Sequence, residues 1–276
     1  MPMESTEPPQ PAAPAPPSAG DAFRDPDPAN PYSAPTADTS PQMHDYDGPL
    51  SHRTIDVGEV LNVSWELLKA NMGVLVGATL IVFAISMVVW VMQQLVLYMM
   101  FGVFSLPGVQ IPLDATITAM GLSIPGYVLQ LFLAIGMTRI YLAVARGQTP
   151  AVGLLFSGGD KFLPILGGYM ILGLLYTAGL TLCIIPGIIV LCGLWMQYFL
   201  VLDQDVKVMD SFPQAWEFSK GNRMSAFLLG LLQMALILLG MMAFCIGLLI
   251  ALPLSGLMWT VAYLMITGQP IARPST

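Results

Sequence analysis

The chain has 276 residues, of which 55% are hydrophobic and only 10% charged, whereas a soluble globular domain carries about 25% charged residues. The formal charge of −7 resides in residues 1–50, which hold eight acids against the single base Arg24; the remainder balances nine acids with nine bases. That distribution excludes a basic nucleic-acid surface and assigns the acidic charge to a tail rather than to a binding face.

Residues 1–54 read as a disordered, proline-rich, acidic tail, because thirteen of the 23 prolines lie in the first fifty positions. Such a stretch cannot bury enough apolar surface to offset its ordering entropy. It lacks a basic segment followed by an apolar one and so does not read as a cleavable signal peptide.

Residues 56–72 follow, with Val57, Val60, Leu61, Trp65, Leu68 and Met72 at three-four spacing. They predict an amphipathic helix. Apolar runs of eighteen or more residues read as membrane spans. The first run covers about 73–104, and a second, at about 122–145, ends in GMTRIYLAVARG. Thr149 and Pro150 then suit the N-cap and first position of a short helix. Residues 162–202 hold two spans, with a turn signal at Pro186 and Gly187. A polar helical stretch, DQDVKVMDSFPQAWEFSKGNR, comes next, and Pro213 restricts where that helix starts. The final block, about 224–267, holds two more spans, with Gly247 or Pro253 at its turn.

One heptapeptide is written nearly twice. WELLKAN at 65–71 recurs as WEFSKGN at 216–222, with Trp65/Trp216, Glu66/Glu217, Lys69/Lys220 and Asn71/Asn222 each 151 residues apart. A weaker copy, LFSGGDKF at 155–162, contributes Lys161, and Arg223 directly follows the third. Each copy precedes an apolar run. The pattern therefore predicts an all-α membrane protein of about six transmembrane helices, arranged as three hairpins. Each hairpin is preceded by a short cytoplasmic amphipathic helix, and the membrane domain covers 55–268 before a short tail, 269–276. Every Lys and Arg falls on the side of the surface helices, which places both termini in the cytoplasm by the positive-inside rule.

Tryptophan suits the headgroup level and lysine can extend to anionic phosphates. Trp65, Glu66, Lys69, Asn71, Lys161, Trp216, Glu217, Lys220, Asn222 and Arg223 are thus candidate lipid or partner contacts, beside the plainer role of anchoring helix ends. Within the runs, Gln93, Gln94, Gln130, Gln197 and Gln233 are expected to bond between helices. Arg139 is expected to reach the cytoplasmic face rather than hold an anion inside the membrane. No Asp, Glu, Lys or His falls near the centre of a predicted span, and no GxxxxGK[ST] phosphate loop occurs. His44 and His52 both precede the membrane region, and Cys183, Cys192 and Cys245 all lie in apolar runs, so neither a metal site, a cofactor nor a disulfide framework is expected. These features exclude a relay-driven pump and an intramembrane protease.

In order, GMTRIYLAVARG, IIPGIIVLCGLWMQYFLVLD, AWEFSKGNR and AYLMITG resemble a widespread group of bacterial integral membrane proteins of unknown function. That group is related to the membrane domain attached to some glycerophosphoryl diester phosphodiesterases. The resemblance spans about 56–268 and implies six helices, cytoplasmic amphipathic segments and no established catalytic residues; the phosphodiesterase domain is absent. The expectation is a non-enzymatic inner-membrane protein with an organising, accessory or lipid-interacting role. Its expected partners are the bilayer, anionic lipids and a membrane protein. The alternative is a facilitator-type transporter or channel for a small solute or lipid.

Overall fold

The computed structural model describes residues 48, 50–101, 113–182, 184–242 and 246–272. Of the acidic tail reading, residues 1–47 and 49 lie outside them, as do Cys183, Cys245 and the residues past 272, whereas residues 50–54, assigned to that tail, are described and lie against α9. The described chain is helical throughout, with no strand among the described residues. In order it forms α1 (Val57–Ala70), α2 (Met72–Phe101), α3 (Leu113–Ala145), a 3-10 helix (Val152–Phe156) and α4 (Phe162–Leu182). Then come α5 (Ile184–Leu194), α6 (Gln197–Asp203), α7 (Val208–Phe218), α8 (Arg223–Met242) and α9 (Ile246–Thr267). Six segments are long and apolar enough to cross a membrane: α2, α3, α4, α5 with α6, α8 and α9. The molecule is a multi-pass membrane protein.

Two burial classes alternate along the chain. Only 17% of the apolar window is buried in each of α2, α4 and α8, against 50%, 56% and 67% in α3, α5–α6 and α9. The second helix of every successive pair is therefore interior and the first peripheral. Peripheral helices expose residues such as Met99, Leu174 and Met242, a surface that is stable only where hydrocarbon replaces water. In the interior, Phe199 on α6 stacks on Tyr263 of α9 at 5.0 Å between ring centroids.

Several boundaries differ from the sequence reading. Pro186 and Gly187 do not form the turn; they lie in the first turn of α5, where proline's missing N–H has no intrahelical partner to lose. Pro253 sits inside α9 and Pro213 inside α7, so neither marks a helix start or the last turn. The short helix after α3 is 3-10 and is preceded by Ala151 with no side-chain cap, so Thr149 and Pro150 lie outside it. α3 begins at Leu113, nine residues before the expected start of the second span. α1 is capped by Asp56, whose carboxylate accepts from the Glu59 N–H at 2.9 Å. It buries Val60, Val63, Ser64, Leu67 and Leu68, packing chiefly on α9, while Trp65 is 42% exposed. The expected stripe through Trp65 is thus rotated: the face that sequence periodicity singled out is partly the outward one.

One end of the bundle is tied by polar bonds. The Ser51 and Arg53 N–H groups donate to the carbonyls of Thr267 and Ile266, so the segment before α1 lies against the end of α9. Asn222, just before α8, accepts from the Ile55 N–H at 3.0 Å and donates to the Arg53 carbonyl at 2.8 Å. The Ala272 N–H reaches the carbonyl of Ala145 at the end of α3.

Candidate functional site

A large gap opens among the described interior residues. A cavity of about 570 Å³ lies among α3, α4, α5, α6, α8 and α9, within the size range of small-molecule sites. Its α8 wall is made by Ala226, Phe227, Gly230 and Leu231, which stand three, four, seven and eight residues after Arg223. That spacing puts all of them on the face that begins with Arg223. Gly230 has open space where a side chain would be. Opposite it, Gly256 on α9 lets the Tyr141 ring of α3 come close, since a Cβ there would sit 2.2 Å from a ring carbon. Missing side chains on two helices thus make the space.

The wall is aromatic; some of its polar groups bond within the wall, while the buried Trp195 indole nitrogen has no hydrogen-bond partner among the described residues. Trp195 and Trp259 meet at 4.8 Å between centroids, and Tyr169 meets Tyr198 at 5.6 Å. The Trp259 indole N–H donates to Gln233 Oε1 at 2.6 Å, and the Tyr198 hydroxyl pairs with Thr138 Oγ1 at 3.0 Å. Cys192 also lines the cavity as a free thiol. The cavity's ionisable side chains are Tyr141, Tyr169, Tyr198 and Cys192; among the described residues no Asp, Glu, His or Lys lines it. Nor do three His, Cys, Asp or Glu side chains gather as metal ligands among the described residues. Such a space is suited to hold an apolar molecule.

A cation stands one helical turn before the cavity's α8 lining, which begins at Ala226. The Arg223 guanidinium lies 3.9 Å from the centroid of the Trp216 ring, a cation–π contact. Trp216 in turn packs on α5 at Gly193, where a Cβ would be 2.5 Å from the indole. Gly193 adjoins Cys192, so Trp216 packs beside a residue of the cavity wall. Among the described residues no carboxylate pairs with Arg223, whereas Lys220 pairs with Glu217 at 2.5 Å.

The sequence reading missed a second cluster. Arg146 at the end of α3 pairs with Asp203 at the end of α6 at 2.6 Å; their side chains are 6% and 0% exposed. Tyr263 of α9 donates to Asp203 Oδ2 at 2.8 Å, and Gln269 accepts from Arg146 at 2.6 Å while donating to Asp203 at 3.2 Å. A buried carboxylate is tolerated when its charge is paired and its lone pairs are bonded. This knot joins the ends of the three interior spans. The only sequence trace was one polar residue closing each interior span: Arg146, Asp203 and, just beyond α9, Gln269.

The remaining expected residues are dispersed. Trp65 and Lys69 are exposed and Glu66 is half-buried; among the described residues no ion pair joins Glu66 and Lys69. Asn71 donates to the Leu67 carbonyl of its own helix. Lys161 pairs with Asp205. Arg139 is held by Ser157 and, through both carboxylate oxygens, by Asp160 at 2.7 and 2.9 Å. Partial burial pushes the Asp160 carboxyl up, but the bonds and charge of Arg139 outweigh it and hold the group below the usual range. Gln93 donates to Ser123 and Gln130 to Ser86, each linking α2 to α3. Gln94 is buried, and Gln197 is buried with its amide nitrogen against Gly168. Neither a family model, nor a curated protein, nor a solved structure matches the chain.

Proposed function

We propose a non-enzymatic, lipid-interacting accessory protein of a bacterial inner membrane. It is built as three hairpins, each entered through a short cytoplasmic segment, with both termini in the cytoplasm. The observation that carries the lipid-interacting role is the apolar, aromatic cavity, lined among the described residues by no Asp, Glu, His or Lys, with an arginine one helical turn before its α8 lining. The alternation of peripheral and interior spans supports the three-hairpin reading. The clustering of Lys69, Arg146, Lys161, Lys207, Lys220 and Arg223 at helix ends supports the orientation. Kinship with the bacterial membrane proteins resembled above is part of the same proposal.

A facilitator role fits less well. A hydrated solute needs a continuous run of polar groups, and here Gln233, Thr138 and Tyr198 spend their bonds on the wall itself. Two measurements test the reading. In a cysteine-free background, Lys69→Cys and Lys207→Cys react with membrane-impermeant maleimide only after the cells are opened, while Leu113→Cys reacts from outside. The protein captured from native membranes in mild detergent retains lipid through detergent exchange, read by mass spectrometry. Loss of all lipid, together with solute flux in protein-containing liposomes, would establish the facilitator instead.

A further inference from the structure

The geometry points to a phospholipid site of defined polarity: an anionic phospholipid seats its phosphate on Arg223 and one acyl chain in the cavity behind it. This deepens the lipid-interacting reading and rests on it. The argument starts from α8. Arg223 is the first residue of that helix, and Ala226, Phe227, Gly230 and Leu231 continue its face inward along the cavity. At 1.5 Å rise per residue, Leu231 lies about 12 Å further along the axis. That matches the depth of one leaflet's hydrocarbon, roughly 15 Å from interface to midplane. The cavity therefore occupies the leaflet that adjoins the arginine, and a chain hanging from a headgroup there has the right direction and reach.

The mouth is lateral. Leu191 on α5 and Leu231 on α8 are each 48% exposed and both line the cavity, so the opening lies where lipid tails, not water, surround the protein. Tyr169 of the peripheral α4, also exposed, stands on the same wall. An open, aromatic space at that level fills with hydrocarbon, because chain methylenes regain dispersion contacts that an empty wall lacks.

The headgroup preference comes from charge. Arg139, Arg146, Lys161 and Lys220 all have carboxylate partners, whereas among the described residues Arg223 has none. Its guanidinium carbon lies 3.9 Å from the Trp216 ring centroid and its buried Nε has no hydrogen-bond partner among the described residues, so its N–H groups can serve a bidentate acceptor such as a phosphate diester. The amino end of the twenty-residue α8 adds a positive dipole at the same point. A zwitterionic headgroup would bring its own cation beside this arginine; an anionic one does not.

The test uses the full chain reconstituted in phosphatidylcholine bilayers, with the exposed Trp65 and Trp90 replaced by Phe. Tryptophan fluorescence is titrated with phosphatidylglycerol or phosphatidylcholine carrying the same dibrominated chain, which quenches Trp195 and Trp259 on contact. Half-maximal quenching by the anionic lipid is expected at about fivefold lower mole fraction, the effect of one cation near a lipid surface. Arg223→Gln removes that preference while chain quenching remains. Gly230→Phe, which enters open space, removes the saturable quenching by both lipids, and Gly173→Phe on the exposed side of α4 leaves it unchanged. Equal quenching by both lipids in the Arg223-containing protein, or a preference that survives Gly230→Phe, overturns the proposal. Flotation of the same samples separates the two readings: protein that fails to float with the vesicles sinks the membrane reading itself, and protein that floats without selective quenching sinks only this site.

Discussion

WELLKAN at 65–71 and WEFSKGN at 216–222 share four of seven residues, yet the fold uses them differently. The first copy is the end of a helix that packs by its other face: Trp65 is exposed, the Asn71 side chain bonds within its own turn, and α1 continues to Ala70. In the second, Gly221 replaces that alanine and takes φ +79°, a left-handed conformation that glycine adopts without the Cβ clash. α7 stops at Phe218, and the following turn delivers Asn222 to a buried position where it binds two backbone groups of the segment before α1. Trp216 turns inward to Gly193 and carries Arg223, where the first copy is followed by Met72. Of the three positions at which the copies differ, the glycine for alanine supplies the left-handed turn that makes the second a structural clamp.

The largest effect tests the platform on which the clamp rests. The segment bound by Asn222 lies on the end of α9, and that end is held through Tyr263 and Gln269 to Asp203. Asp203→Ala leaves Arg146 buried without its counter-charge and is expected to cost about 3–5 kcal/mol, measured by unfolding in mixed micelles. Asn222→Ala comes next. It strands the Ile55 N–H and the Arg53 carbonyl, at about 1–3 kcal/mol for each group that stays buried. Asn71→Ala, which removes one bond to a helix carbonyl, is expected to stay below about 1 kcal/mol by the same reasoning. Equal losses at the two asparagines would remove the distinction between the copies. Gly221→Ala forces an L side chain into the left-handed region, at about 1–2 kcal/mol, and its protein should release the segment before α1, seen as faster amide exchange at Ile55.

The same contrast shows what the sequence could reveal. The six spans were legible because apolar length alone defines them. Helix breaks were not, because Pro186 is as well suited to a helix's first turn as to a loop, and Pro253 is accommodated within a span. α1 was legible as a helix, but its orientation was not: Val63 and Leu67 face α9 while Trp65 faces out, and periodicity cannot tell protein from lipid as an apolar partner. Trp216, Lys220 and Arg223 were legible as neighbours around one helix turn. The cavity beyond that turn was not, since nothing in the sequence distinguishes Gly230 and Gly256 from small residues at close helix contacts. Asp203 escaped notice because it looked like the first residue of a polar linker. Only the convergence of three helix ends makes it a buried anion.

The smallest expected effect concerns the charges that both copies share. Glu217 and Lys220 pair at three-residue spacing with side chains 69% and 56% exposed, and such solvent-screened pairs contribute about 0.2–0.5 kcal/mol. A double-mutant cycle with Gln at both positions should return a coupling of that size. The same cycle at Glu66 and Lys69 should return none, because those side chains do not meet. Lipid selectivity is the sharper readout. Glu217 neutralises the cation that stands three residues before Arg223, so Glu217→Gln frees Lys220 and is expected to strengthen quenching by the brominated anionic lipid. Glu66→Gln has no paired lysine to free and borders no cavity, so it should leave that titration where it was. An equal response at both positions would mean that the lipid senses the general charge of the surface rather than the site beneath Arg223.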